Sequence, residues 1–255
     1  MYLLAIALAP VAFIFTYVYL RDKYDREPLR ILIITFILGV GTAYPALKIS
    51  QFLHDLTGVS IGSSSFLGVF IYAFFVVAFT EEMVKFLVLR IFNYPRKEFN
   101  EPYDGIMYGV AVSLGFAAIE NVIYVHTAGA DGLQTGIARM FTAVPAHAVF
   151  GVMMGYFVGR AKFLPLKYRW LERLKGLLVA ILFHGLYDLF LFLPESQVLP
   201  SGEAWGAIAL LAFVTLFVGI RLSRKAIQLH TDDSPFKYNS TYEANEEEPE
   251  ENNFI

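Results

Sequence analysis

The sequence predicts an all-α fold: a polytopic transmembrane helical bundle of about seven spans with a disordered acidic cytoplasmic tail. Three observations predict it. The 255 residues are 56% hydrophobic and only 17% charged, with a mean hydropathy of +0.53. A soluble domain is nearer half apolar and about a quarter charged. The apolar residues fall into runs of about 20, the length that crosses a hydrocarbon core ~30 Å thick. The basic residues between the runs lie almost entirely on one side.

Taken in order, the predicted spans are about 2–20, 31–49, 66–90, 105–126, 137–159, 175–194 and 203–221. The first run is too long for a signal-peptide core and lacks a basic flank, so it reads as a span. Loop one carries Arg21, Lys23, Arg26 and Arg30; loop three carries Arg96 and Lys97, with Arg90 at its edge. Loop five carries Arg160, Lys162, Lys167, Arg169, Arg173 and Lys175, and Arg221, Arg224 and Lys225 follow the last span. The even loops hold only Lys48 and Arg139. Positive residues stay in the cytoplasm, so the expectation is a multi-pass protein of the cell membrane, N-terminus outside and C-terminus cytoplasmic. An odd number of spans satisfies that bias. The domain reading is a helical membrane domain over 1–228 and a tail over 229–255, ending EANEEEPEENNFI, that is too acidic and too poor in apolar residues to pack. The absence of cysteine excludes disulfides, thiolate metal sites and cysteine nucleophiles. No nucleic-acid partner is expected.

Charges inside a bilayer are expensive and mark function by default. The third span contains EEMVK, with Glu81, Glu82 and Lys85; the fourth contains FAAIEN, with Phe116, Glu120 and Asn121. The fifth contributes His147, and the sixth HGLYD, with His184 and Asp188. Counted at 1.5 Å per residue from the cytoplasmic ends, Glu81 and Glu82 lie roughly 13 Å deep, Glu120 about 22, His147 about 18, His184 about 13 and Asp188 about 19. Four spans thus place acids or imidazoles in one band. Taken singly, a Glu–Lys pair can be a register-fixing ion pair, a lone histidine packing, and Asn121 interhelical glue. Together they have one bundle interior to share. Glu81 and Lys85 stand four apart on one helix face, as do His184 and Asp188, where the acid can orient the ring. Glu82 is turned about 100° from Glu81, so the two acids are expected to point different ways.

The chemistry that fits is activation of water. No His-Glu-x-x-His run and no Gly-x-Gly-Asp run is present, and Ser113 lacks a nucleophile-elbow setting. A buried carboxylate serves as a general base, with histidines or Asn121 meeting the oxyanion. Alternatively Glu and His ligate a divalent metal such as zinc, the ligand set being drawn from Glu82, Glu120, His147 and His184. A proton-coupled transporter or channel would line its interior with the same residues, and a scaffold would use them as buried pairs.

The four elements EEMVK, FAAIEN, the lone His147 and HGLYD, in this order on successive spans, resemble the PrsW family of membrane proteases, which looks related to the CAAX prenyl and bacterial immunity-type proteases. The resemblance covers about residues 80–190. It implies peptide hydrolysis with Glu81, Glu82, Glu120, His147 and His184 as catalytic residues, supported by Lys85, Phe116, Asn121 and Asp188. It further implies a membrane-anchored protein substrate, with first cleavage of an anti-sigma factor as the family's associated role.

Overall fold

The computed structural model describes residues 2–198 and 204–237. Among them are helices and no strands. Seven helical stretches are long and apolar enough to cross a membrane. The first two are α1 (Tyr2–Tyr19) and α2 (Leu29–Thr57). The third stretch, Phe66–Asn93, joins α3 (Phe66–Ile71) to α4 (Phe79–Val88). The others are α5 (Pro102–Thr127), α6 (Gly132–Phe141) with α7 (Ala143–Phe163), α8 (Leu166–Glu195) and α9 (Ala204–Asp232).

The expected spans are all present, but several helices outrun them. α2 continues eight residues beyond the expected end, through polar Gln51 and His54, until Gly58 adopts φ +68° and returns its N–H to the His54 carbonyl. A left-handed residue is a common way to end a helix, and glycine takes that position without strain. α8 starts directly after Pro165, nine residues early, because proline is readily placed at a helix start. α9 runs past the expected domain boundary at 228 to Asp232. There His230 is buried and stacks on Tyr156 with centroids 4.3 Å apart. The start of the expected tail is therefore ordered helix, and its remainder, 238–255, lies outside the described residues.

The fifth stretch begins earlier than expected and is broken. A short 3-10 turn, Gly129–Asp131, leads into α6, and Thr142 at φ −123°, ψ −83° separates α6 from α7. Pro145 supplies the reason. It has no N–H for the Phe141 carbonyl, and its ring would strike that carbonyl, so a continuous helix cannot pass through.

α5 and α7 form the centre. Their membrane windows are 78% and 72% buried against 22% for α1 and for α9, so the outer helices pack around this pair. Glycine lets the two backbones touch. Added Cβ atoms at Gly105 and Gly109 of α5, or Gly151, Gly155 and Gly159 of α7, would collide with the facing helix backbone. This is the close packing that small residues permit where the hydrophobic effect cannot drive association. α4 is flanked by two π-helical segments, Tyr72–Ala78 and Leu89–Asn93. Such wide turns are frequent at functional sites. Within the first, the Val76 carbonyl accepts a hydrogen bond of 2.8 Å from the Ser50 hydroxyl of α2, so the distortion is supported from outside the helix.

Candidate active site

The site is assembled by α4, α5, α7 and α8 around one ammonium group. The Nζ of Lys85 donates to Glu82 Oε1 at 2.8 Å, to Glu81 Oε2 at 3.3 Å and to His147 Nδ1 at 3.3 Å. Its three hydrogens have three acceptors. The ring of Phe116 lies beneath it, 4.1 Å from centroid to Nζ, adding a cation–π contact. Lys85 and Glu82 are fully buried, whereas the Glu81 side chain keeps 13% exposure.

The expectation that the two glutamates diverge is corrected here. Their backbone positions do differ by about 100°. However, Lys85 follows one turn later between the two directions, and both long side chains bend onto it and toward α8. There His184 Nδ1 lies 2.9 Å from Glu82 Oε1, and Nε2 lies 3.3 Å from Asp188 Oδ2 and 3.9 Å from Glu81 Oε2. Phe150 stacks on the His184 ring at 4.6 Å and 14°, fixing its plane.

A second group sits beside the first. Glu120 Oε2 lies 2.9 Å from His147 Nε2 and accepts from the Arg139 guanidinium at 2.7 Å. Lysine has hydrogens only to give, so His147 Nδ1 is the acceptor and Nε2 carries the hydrogen toward Glu120. Arg139 also donates from Nε to Asn121 Oδ1 at 2.7 Å, and Asn121 Nδ2 donates to the Ala7 carbonyl of α1 at 2.8 Å. Asn121 thus binds α1 and α6 to α5. Both His147 nitrogens are engaged as well. Ser113 lies in the glycine seam against Gly151, apart from this network.

Sequence reasoning missed Arg139. It read as a basic residue near a span end. Its one signal was being an arginine on the side of the membrane that otherwise holds almost none.

The donor set accommodates a metal. Glu81, Glu82 and His184 each present a ligand atom within 4.8 Å of the other two. Glu82 Oε2 is buried with no hydrogen-bond partner. Four carboxylates, Glu81, Glu82, Glu120 and Asp188, gather around Lys85, Arg139 and the His184 ring, a concentration of acids that suits a divalent ion. Carboxylate oxygens and an imidazole nitrogen are donors that zinc accepts. Of the expected set Glu82, Glu120, His147 and His184, the first and last belong to this converging group, while Glu120 and His147 stand beside it, tied to each other, to Arg139 and to Lys85.

Fold and site define a polytopic membrane protein that holds a carboxylate–imidazole centre for hydrolytic chemistry among its helices. Residues 27–220 match a family model described as the PrsW family of intramembrane metalloproteases. The chain is 38% identical over 193 residues to Protease PrsW of Geobacillus kaustophilus (strain HTA426), covering 76% of this chain and 81% of the relative. It is 37% identical over 191 residues to Protease PrsW of Bacillus subtilis (strain 168), covering 74% and 82%. The corresponding protein of Clostridioides difficile (strain 630) is 34% identical over 225 residues, covering 87% and 89%. No solved structure matches. The chain belongs to the PrsW family of intramembrane proteases, and the transporter and scaffold readings fall away.

Proposed function

We propose that the protein cuts membrane-anchored protein substrates with a water activated between Glu81, Glu82 and His184. The observation that supports this most is the convergence of those three side chains on one point, held by Lys85 on one side and Asp188 on the other. When bound, a divalent metal such as zinc supplies a water of lowered pKa and polarises the scissile carbonyl. Glu82, wholly buried, and His184 hold the centre. Asp188 fixes the His184 ring by facing Nε2. Glu81 is the acid of the EEMVK pair with accessible surface, which places it to take the proton of water and return it to the departing amine. Lys85 holds both acids in place through its hydrogen bonds to them. Arg139 and His147 hold Glu120 as the second acid at the accessible edge, where its side chain is 21% exposed and that of Arg139 15%.

The one-sided basic loops support a cytoplasmic C-terminus and an outer N-terminus. A membrane-anchored anti-sigma factor as substrate follows from the family resemblance. The test compares new protein N-termini in membranes from cells carrying wild-type, Glu81→Gln and Glu82→Gln chains at matched expression. Termini that appear only with wild type are expected, and they name the substrate. Termini that persist unchanged in both variants would overturn the assignment.

A further inference from the structure

An apolar groove of about 590 Å³ runs between α1 and α9 on a floor of α7. Phe13 and Tyr17 of α1, Pro145, Val149 and Val152 of α7 and Ile220 of α9 line it. One end is different, for Ser223 and Arg224 of α9 form it. Ser223 is 6% exposed, and its hydroxyl has no hydrogen-bond partner. A helical serine of this kind usually bonds back to its own backbone. Arg21 reaches to the same end, lying over the Tyr17 ring at 5.2 Å. Among the described residues, neither arginine has a carboxylate within ion-pair distance.

We propose that this groove binds one anionic phospholipid, an acyl chain along the apolar floor and the phosphate at Arg224, with the Ser223 hydroxyl donating to it. Arginines near span ends often extend to the headgroups for solvation alone. The buried, unpartnered hydroxyl beside them is what a solvation role leaves unexplained. The size favours a lipid over a substrate helix. A helix 10 Å across rising 1.5 Å per residue fills ~120 Å³ per residue, so the groove would hold only about five residues of one. It lies within the usual range of ~300–1,000 Å³ for small-ligand sites. Met140 and Phe141 close the other end, so an occupant would brace the break at Thr142, next to the arginine that grips Glu120.

The experiment is native mass spectrometry of the full chain released from nanodiscs of phosphatidylglycerol or phosphatidylcholine with identical acyl chains. Wild type is expected to retain one phosphatidylglycerol at least fivefold more often than phosphatidylcholine. Arg224→Gln should reduce that preference toward one, and Ser223→Ala should reduce it in part. Arg221→Gln, one turn away and outside the lining, should leave it intact. Equal retention of the two lipids by wild type would overturn the proposal. So would equal losses in the Arg221 and Arg224 variants, which would mean diffuse surface charge. Displacement of the lipid by inorganic phosphate or by a single-span polyleucine peptide would also overturn it, assigning the groove to a free anion or to a helix. Dihexanoyl phosphatidylglycerol tests the wild type without any substitution. Its weaker retention is expected, and retention equal to that of the long-chain lipid would show that the groove is not used.

Discussion

The Nζ of Lys85 lies 3.3 Å from the Nδ1 of His147, and this hydrogen bond joins the two halves of the candidate active site. Without it, Glu81, Glu82, His184 and Asp188 form one cluster, and Glu120, His147 and Arg139 another. Through it they form one hydrogen-bonded chain from Asp188 to Arg139 across α8, α4, α7, α5 and α6.

Replacing Lys85 should therefore damage both halves. Lys85→Met leaves two buried carboxylates without their cation, and breaking a buried ion pair costs about 3–5 kcal/mol. We expect at least a hundredfold loss of cleavage and a lower melting temperature in detergent. The double variant Lys85→Met, Glu82→Gln should recover much of the melting temperature but none of the activity, since the uncompensated charge is gone while the site is not restored. Reporter cleavage and thermal unfolding measure the two outcomes separately. Activity retained in Lys85→Met would refute the central role given to the ammonium.

Metal content should separate the same two halves. Glu82→Gln and His184→Asn remove members of the converging set and should lower bound zinc several-fold. His147→Asn lies outside that set and should keep its metal while losing turnover. Elemental analysis of purified variants gives the answer directly, with a chelator expected to abolish wild-type activity and added zinc to restore it. Metal lost equally from the His147 and His184 variants would show that the ligand set is wrong.

Arg139 holds Glu120 and Asn121 at once through a planar fork. Arg139→Ala should lower kcat about 10- to 100-fold with a smaller change in KM, because it shifts a residue of the site without removing a substrate contact. Arg139→Lys should recover little, since an ammonium cannot span both acceptors in one plane. Steady-state kinetics on a reporter substrate would show it. Full rescue by lysine would reduce the role of Arg139 to charge alone.

The residues of the site were legible in the sequence because the bilayer makes polar groups conspicuous. Glu81, Glu82, Lys85, Glu120, His147, His184 and Asp188 stand out in apolar runs, and depth counting places them in one band. Their connections were less legible. Helix phase alone separates Glu81 from Glu82, yet both side chains are long enough to meet at Lys85. The ligand grouping depends on which face of α5 and α7 turns toward α4; the run Gly151, Gly155 and Gly159 reads as close helix packing from its spacing, but its partner helix and the two π segments leave no clear mark in the sequence. Arg139 was hidden because the break that brings α6 over the site comes from Pro145, and a proline near a span start reads as ordinary.

Proton linkage where the basic loops one and three meet gives a further test. Asp22, Glu27 and Glu101 are buried where loops one and three meet the start of α5. Burial raises Asp22 to about 6, the Glu27 N–H at its Oδ2 offsetting this in part. Burial raises Glu27 to about 7 despite a hydrogen bond from Tyr108. Burial raises Glu101 to about 7 despite its bond from the Ser234 hydroxyl. The neighbouring Asp25 adds negative charge, a hydrogen bond with Asp104 lowers Glu27, and Arg26 at Asp22 and Lys162 near Glu27 oppose the rise only in part. A carboxyl whose folded pKa exceeds its unfolded value stabilises the fold fully below the unfolded value, near 4 to 4.5, and loses that contribution as pH rises through 6 to 7. Detergent-purified protein should therefore melt higher at pH 5.5 than at pH 8. Glu27→Gln, which keeps the shape and cannot ionise, should flatten that dependence and raise the melting temperature at pH 8. Comparing the two chains cancels titrations elsewhere, so identical pH slopes for wild type and Glu27→Gln would show that this cluster holds no proton at neutral pH.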